Sequence, residues 1–269
     1  MNDPDVDAER RFGGLRRLYG NAAYQRLRGA RFAVVGLGGV GSWVVEALAR
    51  SGVAGLTLID LDNVSESNIN RQIQALGSTL GMAKAEALRQ RIADIHPGCD
   101  VTVVEEFVDE TNWPALLDGA VLDGLVDACD QVRAKAVLAA WARAQNLPFV
   151  TVGAAGGKRE PHRLQIEDLA DVTHDPLLAS LRQRLRKDHA APRGGKSGKL
   201  GVSCVFSREP VHLPIAAEGE ACDVDGSLNC HGYGSSVAVT ASFGMAAAAE
   251  LLKSFLQSPC GTEKPRSII

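Results

Sequence analysis

The sequence contains no Cys-x-x-Cys pair, although it has six cysteines in 269 residues. Scattered cysteines of this kind argue against a zinc ribbon and against the disulfide framework of a small secreted domain. They are Cys99, Cys129, Cys204, Cys222, Cys230 and Cys260. The N-terminus also lacks the charged and then apolar pattern of a signal peptide. We therefore expect a protein of the reducing cytoplasm.

A large charge of one sign and long hydrophobic runs are also missing. The formal net charge is -3, so binding to nucleic acid or to an anionic membrane would require a local basic patch. The apolar segment 237–256 is interrupted by Glu250 and Lys253, and falls short of the roughly 20 apolar residues of a membrane span. This pattern favours a buried helix or a helix in a dimer interface, and it leaves attachment to a membrane surface open.

What the sequence does contain is an alternation of short apolar strands and amphipathic helices. Strands are predicted at 31–35, 55–59, 101–107, 122–127 and 148–152, and helices at 40–50, 82–95 and 132–145. The alternation is typical of an α/β fold with a doubly wound, mainly parallel, Rossmann-like sheet. We assign residues 11–155 to this nucleotide-binding core. Residues 1–10 and 261–269 are predicted to be flexible tails.

Residues 156–256 are interpreted as a loop-rich C-terminal extension of the same domain, which serves the substrate and dimerisation. Within it the sequence predicts a charged helix at 175–188, a loop rich in glycine and lysine at 192–200, loops over 201–232, and an apolar helix at 234–256. No internal repeat is present, so we expect one domain rather than an array of similar units.

Gly36, Gly38, Gly39 and Gly41 lie in the segment that joins the first predicted strand to the first predicted helix. The first, second and last of these fit the dinucleotide fingerprint, in which the backbone turns tightly and approaches phosphate closely. Exposed N–H groups and the helix dipole then favour an anion. Asp60, at the end of the second strand, is placed to accept hydrogen bonds from ribose hydroxyls. These residues predict a nucleotide site but do not choose between NAD and ATP.

The polar segment after Asp60 contains side chains suited to an enzyme that displaces pyrophosphate. Such an enzyme must neutralise the charge that develops on the α-phosphate and on the leaving group. Arg71 offers a planar fork for phosphate oxygens and Lys84 a mobile point charge. Asn68 precedes Arg71 by three residues, so a helical turn would place both on one face. We predict that Asn68, Arg71 and Lys84 bind ATP and that Arg71 and Lys84 are catalytic; the alternative is that both cations are solvated.

Asp130 follows the fourth predicted strand, and open α/β sheets bind ligands beyond the carboxyl ends of their strands. Mg²⁺ that enters with a triphosphate takes one or two carboxylates besides the phosphate oxygens. We therefore predict that Asp130 is a catalytic residue that binds ATP and Mg²⁺ together. The alternative is that Asp130 only caps the helix that begins near Val132.

These residues together resemble the nucleotide-binding core of the ubiquitin-activating superfamily. Its bacterial members include the adenylyltransferases for molybdopterin synthase and for the thiazole sulfur carrier. The matching positions are Gly36 to Gly41, Asp60, the pair Asn68 and Arg71, Gly81 with Lys84, and Asp127 with Asp130. In that superfamily these positions bind ATP and Mg²⁺ and support formation of an acyl-adenylate. The resemblance also implies a homodimer.

Segments elsewhere in the chain resemble the branch of the superfamily that acts on tRNA. They are Arg11 to Gly14, Arg17 to Gly20, Gly38 to Trp43, Asn70 to Ile73, Gly153 to Gly157, Asp175 to Leu177, Gly198 to Val202 and Cys204 to Ser207. One departure concerns an arginine that sulfur-carrier activators extend to the ATP of the partner subunit. Gly14 occupies its place here, which leaves Arg17 or Arg11 for that role.

The tRNA branch implies a tRNA partner that carries threonylcarbamoyladenosine beside the anticodon, with a free threonine carboxylate. This carboxylate would attack the α-phosphate of ATP and give an acyl-adenylate and pyrophosphate. Ring closure by the neighbouring carbamoyl group would then expel AMP, for a net loss of water. Positioning and charge stabilisation suffice for this chemistry, so no general base is required.

A tRNA partner requires a basic patch, and one short stretch of the sequence concentrates basic side chains. Its members are Arg182, Arg184, Arg186, Lys187, Arg193, Lys196 and Lys199. We take Arg182, Arg186, Lys187, Lys196 and Lys199 as candidates for tRNA contact. The alternative is a solvated helix face followed by a loop.

Cys230 is the candidate for a reactive thiol, because some relatives in the superfamily use a cysteine for thioester or persulfide chemistry. A cysteine desulfurase or a sulfur acceptor would then be a partner. A small buried hydrophobic residue is the simpler interpretation of this cysteine.

Other functions stay open on the sequence alone. The first is adenylation of the C-terminus of a ubiquitin-like sulfur-carrier protein, although the structural zinc cysteines common in such enzymes are missing. A second, of another class, is a scaffold that binds ATP without chemistry, which the intact Arg71, Lys84 and Asp130 disfavour. An NAD oxidoreductase is the weakest alternative, because it has no need of cations near the phosphates.

Overall fold

The computed structural model describes residues 4–192, 198–214 and 233–259. The strands form one seven-stranded sheet in the order β3-β2-β1-β4-β5-β7-β6. They are β1 Arg31–Val35, β2 Gly55–Ile59, β3 Asp100–Val104, β4 Gly124–Asp127, β5 Phe149–Val152, β6 Leu164–Asp168 and β7 Ser203–Ser207. Neighbouring strands pair in parallel except β6 and β7, which are antiparallel. The predicted α/β fold with a doubly wound, mainly parallel sheet is confirmed.

Helices flank this sheet and connect its strands. They are α1 Pro4–Tyr19, α2 Asn21–Gly29, α3 Gly41–Arg50, α4 Lys84–Ile95, α5 Val132–Ala144, α6 Pro176–Asp188 and α7 Val237–Gln257. Short 3-10 helices lie at Glu66–Asn68, Gly77–Thr79, Ala115–Leu117 and Pro161–Arg163. Helix α1 includes residues 4–10 of the segment predicted to be a flexible tail. The other predicted tail, residues 261–269, lies outside the described residues.

The sheet is covered on both faces, as the side chains of β1 show. Phe32 and Val34 pack in a cluster with residues of α3, α4 and α7, whereas Ala33 and Val35 pack in a second cluster with residues of α5 and α6. All four side chains are buried. Because successive side chains of a strand point to opposite faces, an unbroken apolar strand is the pattern of a sheet with helices on both sides.

Helix α7 is long and apolar enough to cross a membrane by length and composition alone. Half of its most hydrophobic window is nevertheless buried inside the protein, where Phe243 and Leu251 join the cluster that contains α3. At Gly244 an added Cβ would lie 2.6 Å from the carbonyl oxygen of Val40, so α7 and the start of α3 approach closely. This packing is that of a core helix.

Strands β6 and β7 lie in the extension, in segments where the sequence predicted only a helix and loops. β7 is a core strand between β5 and β6, with Cys204 and Phe206 fully buried. β6 is an edge strand with polar residues such as Glu167, and it forms by pairing with the distant β7. Pairing over this sequence separation leaves no local signal, and for this reason the extension contains more regular structure than predicted.

The order of the strands fixes where a ligand binds. β1 and β4 are neighbours at the centre of the sheet, and the chain leaves β1 towards β2 on one side and β4 towards β5 on the other. A crevice opens beyond the carboxyl ends of strands at such a switch point. The glycine-rich segment follows β1 and Asp130 follows β4, so the topology brings these two predicted site elements to one place.

Candidate nucleotide-binding active site

At Gly36 and Gly41 the glycine-rich segment after β1 packs so tightly that a Cβ would have no room. Gly36 has a φ of 83°, and a Cβ there would lie 2.7 Å from the backbone nitrogen of Cys129. A Cβ on Gly41 would lie 1.8 Å from the carbonyl oxygen of Gly36. These contacts fold the segment onto the end of β4. Gly36, Gly38 and Gly39 line a cavity at this point, whereas Gly41 begins α3 and is not among its lining residues.

Asp60 ties the end of β2 to the glycine-rich segment. One carboxylate oxygen accepts a hydrogen bond from the backbone N–H of Leu37 at 2.5 Å, and the other accepts one from the N–H of Asp62 at 2.8 Å. Burial raises the pKa of Asp60, although the nearby Lys84 ammonium opposes this effect. Asp60 lines the cavity, and a carboxylate has lone pairs for further donors such as ribose hydroxyls.

Arg71 is buried beside the same cavity, and its guanidinium group does not use all of its donors. Its Nη1 donates to the carbonyl oxygen of Ser67 at 2.7 Å and to Oδ1 of Asn70 at 2.8 Å. Its Nε is buried and has no hydrogen-bond partner among the described residues. A buried donor without a partner is costly in a folded protein. An anionic ligand in the cavity would supply the missing acceptor.

Lys84, the first residue of α4, also lines the cavity. Its Nζ donates to Oδ2 of Asp62 at 2.7 Å. The Lys84 side chain is buried, whereas 55% of the Asp62 side chain is exposed. Because Asp62 is well solvated, exchanging its carboxylate for a phosphate oxygen costs Lys84 little free energy.

Asn68 lies behind the cavity rather than in its lining. Its Oδ1 accepts a hydrogen bond from the backbone N–H of Ser65 at 3.1 Å, and its carbonyl oxygen accepts one from the N–H of Arg71 at 3.0 Å. The side chain is 4% exposed. In this arrangement Asn68 shapes the turn that carries Arg71. Direct contact between Asn68 and the nucleotide stays a prediction.

Asp130 is exposed and lines the cavity opposite the cations that follow β2. Its carboxylate has no hydrogen bond or ion pair with any described residue. The N-terminal cap of α5 is Gln131, and no side chain caps that helix. Asp130 therefore does not act as a helix cap, which was the alternative interpretation. Its oxygens are free to hold a cation that phosphate oxygens also bind.

The cavity has lining residues that the sequence did not predict. Phe107, 52% exposed, lies at its edge with Glu106 and Val108. The sequence extended β3 to Phe107, but the strand ends at Val104, so the residues after it form a loop that faces the cavity. The sequence feature that could have indicated this part of the cavity is the aromatic Phe107, which follows the strand next to β2.

A buried ion pair lies below the cavity, between the ends of β4 and β5. Lys135 and Asp127 are both fully buried, with 3.1 Å between Nζ and Oδ2. Lys135 also donates to Thr151 Oγ1 at 3.1 Å and to the carbonyl oxygen of Val152 at 2.8 Å, and Thr151 Oγ1 donates to Asp127. Burial acts to lower the pKa of Lys135, but the acidic groups around it, Asp127 foremost, together outweigh this effect and raise that pKa. The network joins two strand ends that border the cavity.

The predicted basic stretch is not a single patch. Arg182 donates to the carbonyl oxygens of Leu169 at 3.0 Å and Val172 at 2.8 Å, so its guanidinium stabilises a loop of its own chain. Arg186 donates to the carbonyl oxygen of Pro192 at 3.3 Å. Lys187 is exposed on α6. Lys199 is exposed near Arg143, at the C-terminal end of α5.

The remaining predicted residues concern tRNA contact and thiol chemistry. Lys196 and Cys230 lie outside the described residues. Cys204 is fully buried, and burial raises its pKa well above the usual range. Cys129 lines the cavity, but burial raises its pKa as well and its Sγ lies 2.8 Å from Asp127 Oδ1. Neither Cys129 nor Cys204 is therefore held as a reactive thiolate.

Comparison with known proteins gives one consistent result. The family model described as the ThiF family matches residues 13–267. The tRNA threonylcarbamoyladenosine dehydratase of Escherichia coli is 44% identical over 253 residues, which cover 91% of this chain and 93% of the relative. The enzyme of that name from Haemophilus influenzae is 41% identical over 250 residues, covering 93% and 94%.

A solved structure agrees with these relatives. The Escherichia coli tRNA N6-threonylcarbamoyladenosine dehydratase, TcdA, in complex with ATP superposes with a TM-score of 0.82 at 44% sequence identity. The match covers 92% of this chain and 94% of that one. The likeness extends over both the nucleotide-binding core and the extension.

Proposed function

The chain belongs to the ThiF family, and we propose that it is an ATP-dependent tRNA threonylcarbamoyladenosine dehydratase. The observation that carries the proposal is one cavity lined by the glycine-rich segment, Asp60, Arg71, Lys84 and Asp130. Relatives at 44% and 41% identity over nearly their whole length bear this name, and one is known with ATP bound. An NAD oxidoreductase would not need these cations around the phosphates.

In the proposed reaction the threonine carboxylate of the modified nucleoside attacks the α-phosphorus of ATP. The new carboxyl–phosphate bond gives an acyl-adenylate, and pyrophosphate leaves. The neighbouring carbamoyl group then attacks the activated carbonyl carbon, gives up one N–H proton to solvent, closes a ring and expels AMP. One carboxylate oxygen leaves with AMP, so the nucleoside loses one molecule of water overall.

The chain contributes charge and position to these steps. Lys84 exchanges Asp62 for a phosphate oxygen, and Arg71 offers its unpaired Nε together with its guanidinium charge. Both stabilise the negative charge that develops on phosphate oxygens and on the leaving group. The N–H groups of the glycine-rich segment and the N-terminal end of α3 favour the same anion. In the first step no side chain has to remove a proton, because the attacking carboxylate is already ionised.

We also propose that Asp130 holds Mg²⁺ together with ATP. The described residues contain no group of three or more ligating side chains, so a divalent cation at this site depends on phosphate oxygens for most of its ligands. A single exposed carboxylate suits Mg²⁺, which is usually bound by one or two carboxylates and substrate phosphates. When bound, the ion would neutralise charge on the phosphates.

Homodimerisation is a further part of the proposal. Helix α7 turns a row of small or flexible side chains outwards, namely Ala238, Ser242, Met245 and Ala249. Arg11 donates to carbonyl oxygens of Asp94 and Ile95 at the end of α4 in its own chain, whereas Arg17 is exposed. We therefore favour Arg17 as the residue that reaches the ATP of the partner subunit. Because the proposed substrate is a tRNA, we also propose that the enzyme is cytoplasmic.

The test is direct. The protein is incubated with ATP, Mg²⁺ and tRNA that carries threonylcarbamoyladenosine, and AMP release and the mass of the nucleoside are measured together. We expect AMP to form in step with the loss of one water from the nucleoside, and tRNA without the modification to give neither. AMP release driven instead by a protein with a C-terminal Gly-Gly would establish sulfur-carrier activation. ATP binding with no AMP from either substrate would leave only the scaffold.

A further inference from the structure

A groove lies between the N-terminal end of α5 and the C-terminal half of α6. Its lining residues are Gln131, Val132, Arg133, Ser180, Gln183, Arg184, Lys187 and Asp188. Gln131 also lines the nucleotide cavity, directly after Asp130, so the groove and the cavity meet at this residue. No step of the proposed reaction uses the groove.

The groove carries three cations that are weakly held. Arg133 and Lys187 are exposed and form no ion pair with a described residue. Arg184 lies 3.8 Å from Glu110 and 3.9 Å from Asp188, longer than the roughly 2.7–2.9 Å of a charge-assisted hydrogen bond. Such long contacts between partly exposed groups contribute little to stability. These side chains are therefore free to bind an external anion.

The N-terminal end of α5 adds to the positive potential of the groove. The cap residue Gln131 gives no side-chain acceptor to the first turn of the helix. The first N–H groups of α5 and its dipole therefore favour an anion. The acidic groups that face the groove are Asp188 and Glu110, both bound loosely by Arg184, and Asp130 at the junction with the cavity.

The basic residues of α6 thus divide into two sets. Arg182 and Arg186 use their guanidinium groups on carbonyl oxygens of the same chain. Arg184 and Lys187 face the groove, where Arg133 of α5 joins them. Arg133 is far from the predicted basic stretch in sequence, so only the packing of α5 against α6 reveals this arrangement.

We propose that this groove binds the tRNA backbone next to the modified nucleoside, with Arg133, Arg184 and Lys187 contacting phosphates. The proposal rests on the proposed function. If the modified nucleoside binds in the cavity, the tRNA strand that carries it has to extend out of the cavity along a neighbouring surface. A row of long cationic side chains along an open groove suits successive phosphates of a strand, which fix position without reading sequence. A free phosphate would instead suit an enclosed site.

The test compares two triple variants of the full-length protein. Arg133→Ala/Arg184→Ala/Lys187→Ala removes the groove cations, and Arg31→Ala/Arg89→Ala/Arg163→Ala removes three exposed arginines elsewhere. We expect the groove variant to bind tRNA about 10-fold or more weakly, and its plot of log affinity against log salt to lose roughly 2 to 3 in slope. The KM for tRNA should rise by a similar factor, while ATP affinity and kcat stay close to the unsubstituted protein.

The controls separate the possible failures. Unchanged ATP affinity shows that the groove variant is folded, and the control variant should bind tRNA as the unsubstituted protein does. Equal losses in both variants would mean a diffuse effect of net charge and would overturn the proposal. Tight tRNA binding by the groove variant would overturn it as well. If the unsubstituted protein binds tRNA but releases no AMP and removes no water, the proposed function is wrong, whatever the groove variant shows.

Discussion

Lys84 and Lys135 are two buried lysines that each pair with an aspartate near the carboxyl-terminal edge of the sheet, but their surroundings differ. Lys84, after β2, lines the cavity and pairs with Asp62, whose side chain is 55% exposed. Lys135, below the end of β4, is fully buried with Asp127 and also donates to Thr151 and Val152. We call the surroundings of Lys84 the open region, because a ligand can reach them, and the surroundings of Lys135 the closed region.

The difference shows how the same residue types are used for binding and for structure. In the closed region each polar group has a protein partner, so the network holds β4 and β5 together and offers nothing to a substrate. In the open region Arg71 Nε has no described partner and Lys84 has a partner that solvent screens. Unfinished hydrogen bonding in a cavity marks the site of chemistry, because a ligand completes it.

The largest effect is expected in the closed region. Lys135→Met leaves the Asp127 carboxylate buried without its cation, and removing one partner of a buried pair costs about 3–5 kcal/mol. Urea denaturation should show this loss in the free energy of unfolding. The double variant Lys135→Met/Asp127→Asn is the matched control and should recover part of it. Lys135→Met with unchanged stability would show that the pair is not structural.

In the open region Lys84→Met should lower turnover strongly and stability only slightly. Its exposed partner makes the ion pair worth at most about 1 kcal/mol, so the free energy of unfolding should change little. Turnover to AMP should fall by about 10²–10³-fold, because a charge that stabilises the transition state is lost. Single-turnover measurements with the modified tRNA give this rate. A variant that keeps its turnover would remove Lys84 from the reaction.

The residues of the open region could be predicted from the sequence, whereas the ion pair of the closed region could not. The glycine-rich segment and Asp60 belong to one β-α-β unit, and Lys84 begins the next helix after it. The order and spacing of these residues along the chain were therefore enough to predict that they meet. Lys135 lies in a helix pattern that gave no sign of charge burial. Its partner Thr151 comes from the next strand, and only the register of β4 with β5 brings them together.

The structure of the C-terminal extension was harder still to predict from the sequence. Pairing of β6 with β7 joins Leu164 to Ser207. The alternation of apolar and polar residues in β6 covers only four residues, and β7 is a short apolar run, so each signal by itself is weak. Arg182 was a candidate for tRNA contact, but its guanidinium binds two carbonyl oxygens of a preceding loop. A charge pattern gives the sign of a surface but not the direction in which each side chain points, which depends on packing.

A smaller effect is expected where the glycine-rich segment packs against the end of β4, between the two regions. Gly36→Ala forces a Cβ into contact with the backbone of Ala128 and Cys129 at a φ of 83°. Strain of this kind costs about 1–3 kcal/mol, and displacement of the segment should also weaken ATP binding. Calorimetric titration with ATP and urea denaturation measure the two effects. Gly77→Ala is the control, since a Cβ there meets nothing within 4 Å.

The smallest effect should come from Asp62→Asn, which removes the partner of Lys84 without touching Lys84. Because Asp62 is largely exposed, we expect the free energy of unfolding to fall by less than about 1 kcal/mol. Turnover should stay within a few-fold of the unsubstituted protein, roughly 1 kcal/mol at most. A loss as large as that of Lys84→Met would assign Asp62 a direct part in the reaction and would weaken the contrast between the regions.

Transfer of a labelled oxygen tests most directly whether the open region activates a carboxylate. The tRNA is prepared with heavy oxygen in both positions of the threonine carboxylate and is incubated with ATP and the unsubstituted protein. An acyl-adenylate requires that one labelled oxygen leave with AMP, so the mass of AMP should rise by one label for each nucleoside that loses water. Unlabelled AMP formed alongside the dehydrated nucleoside would contradict the account.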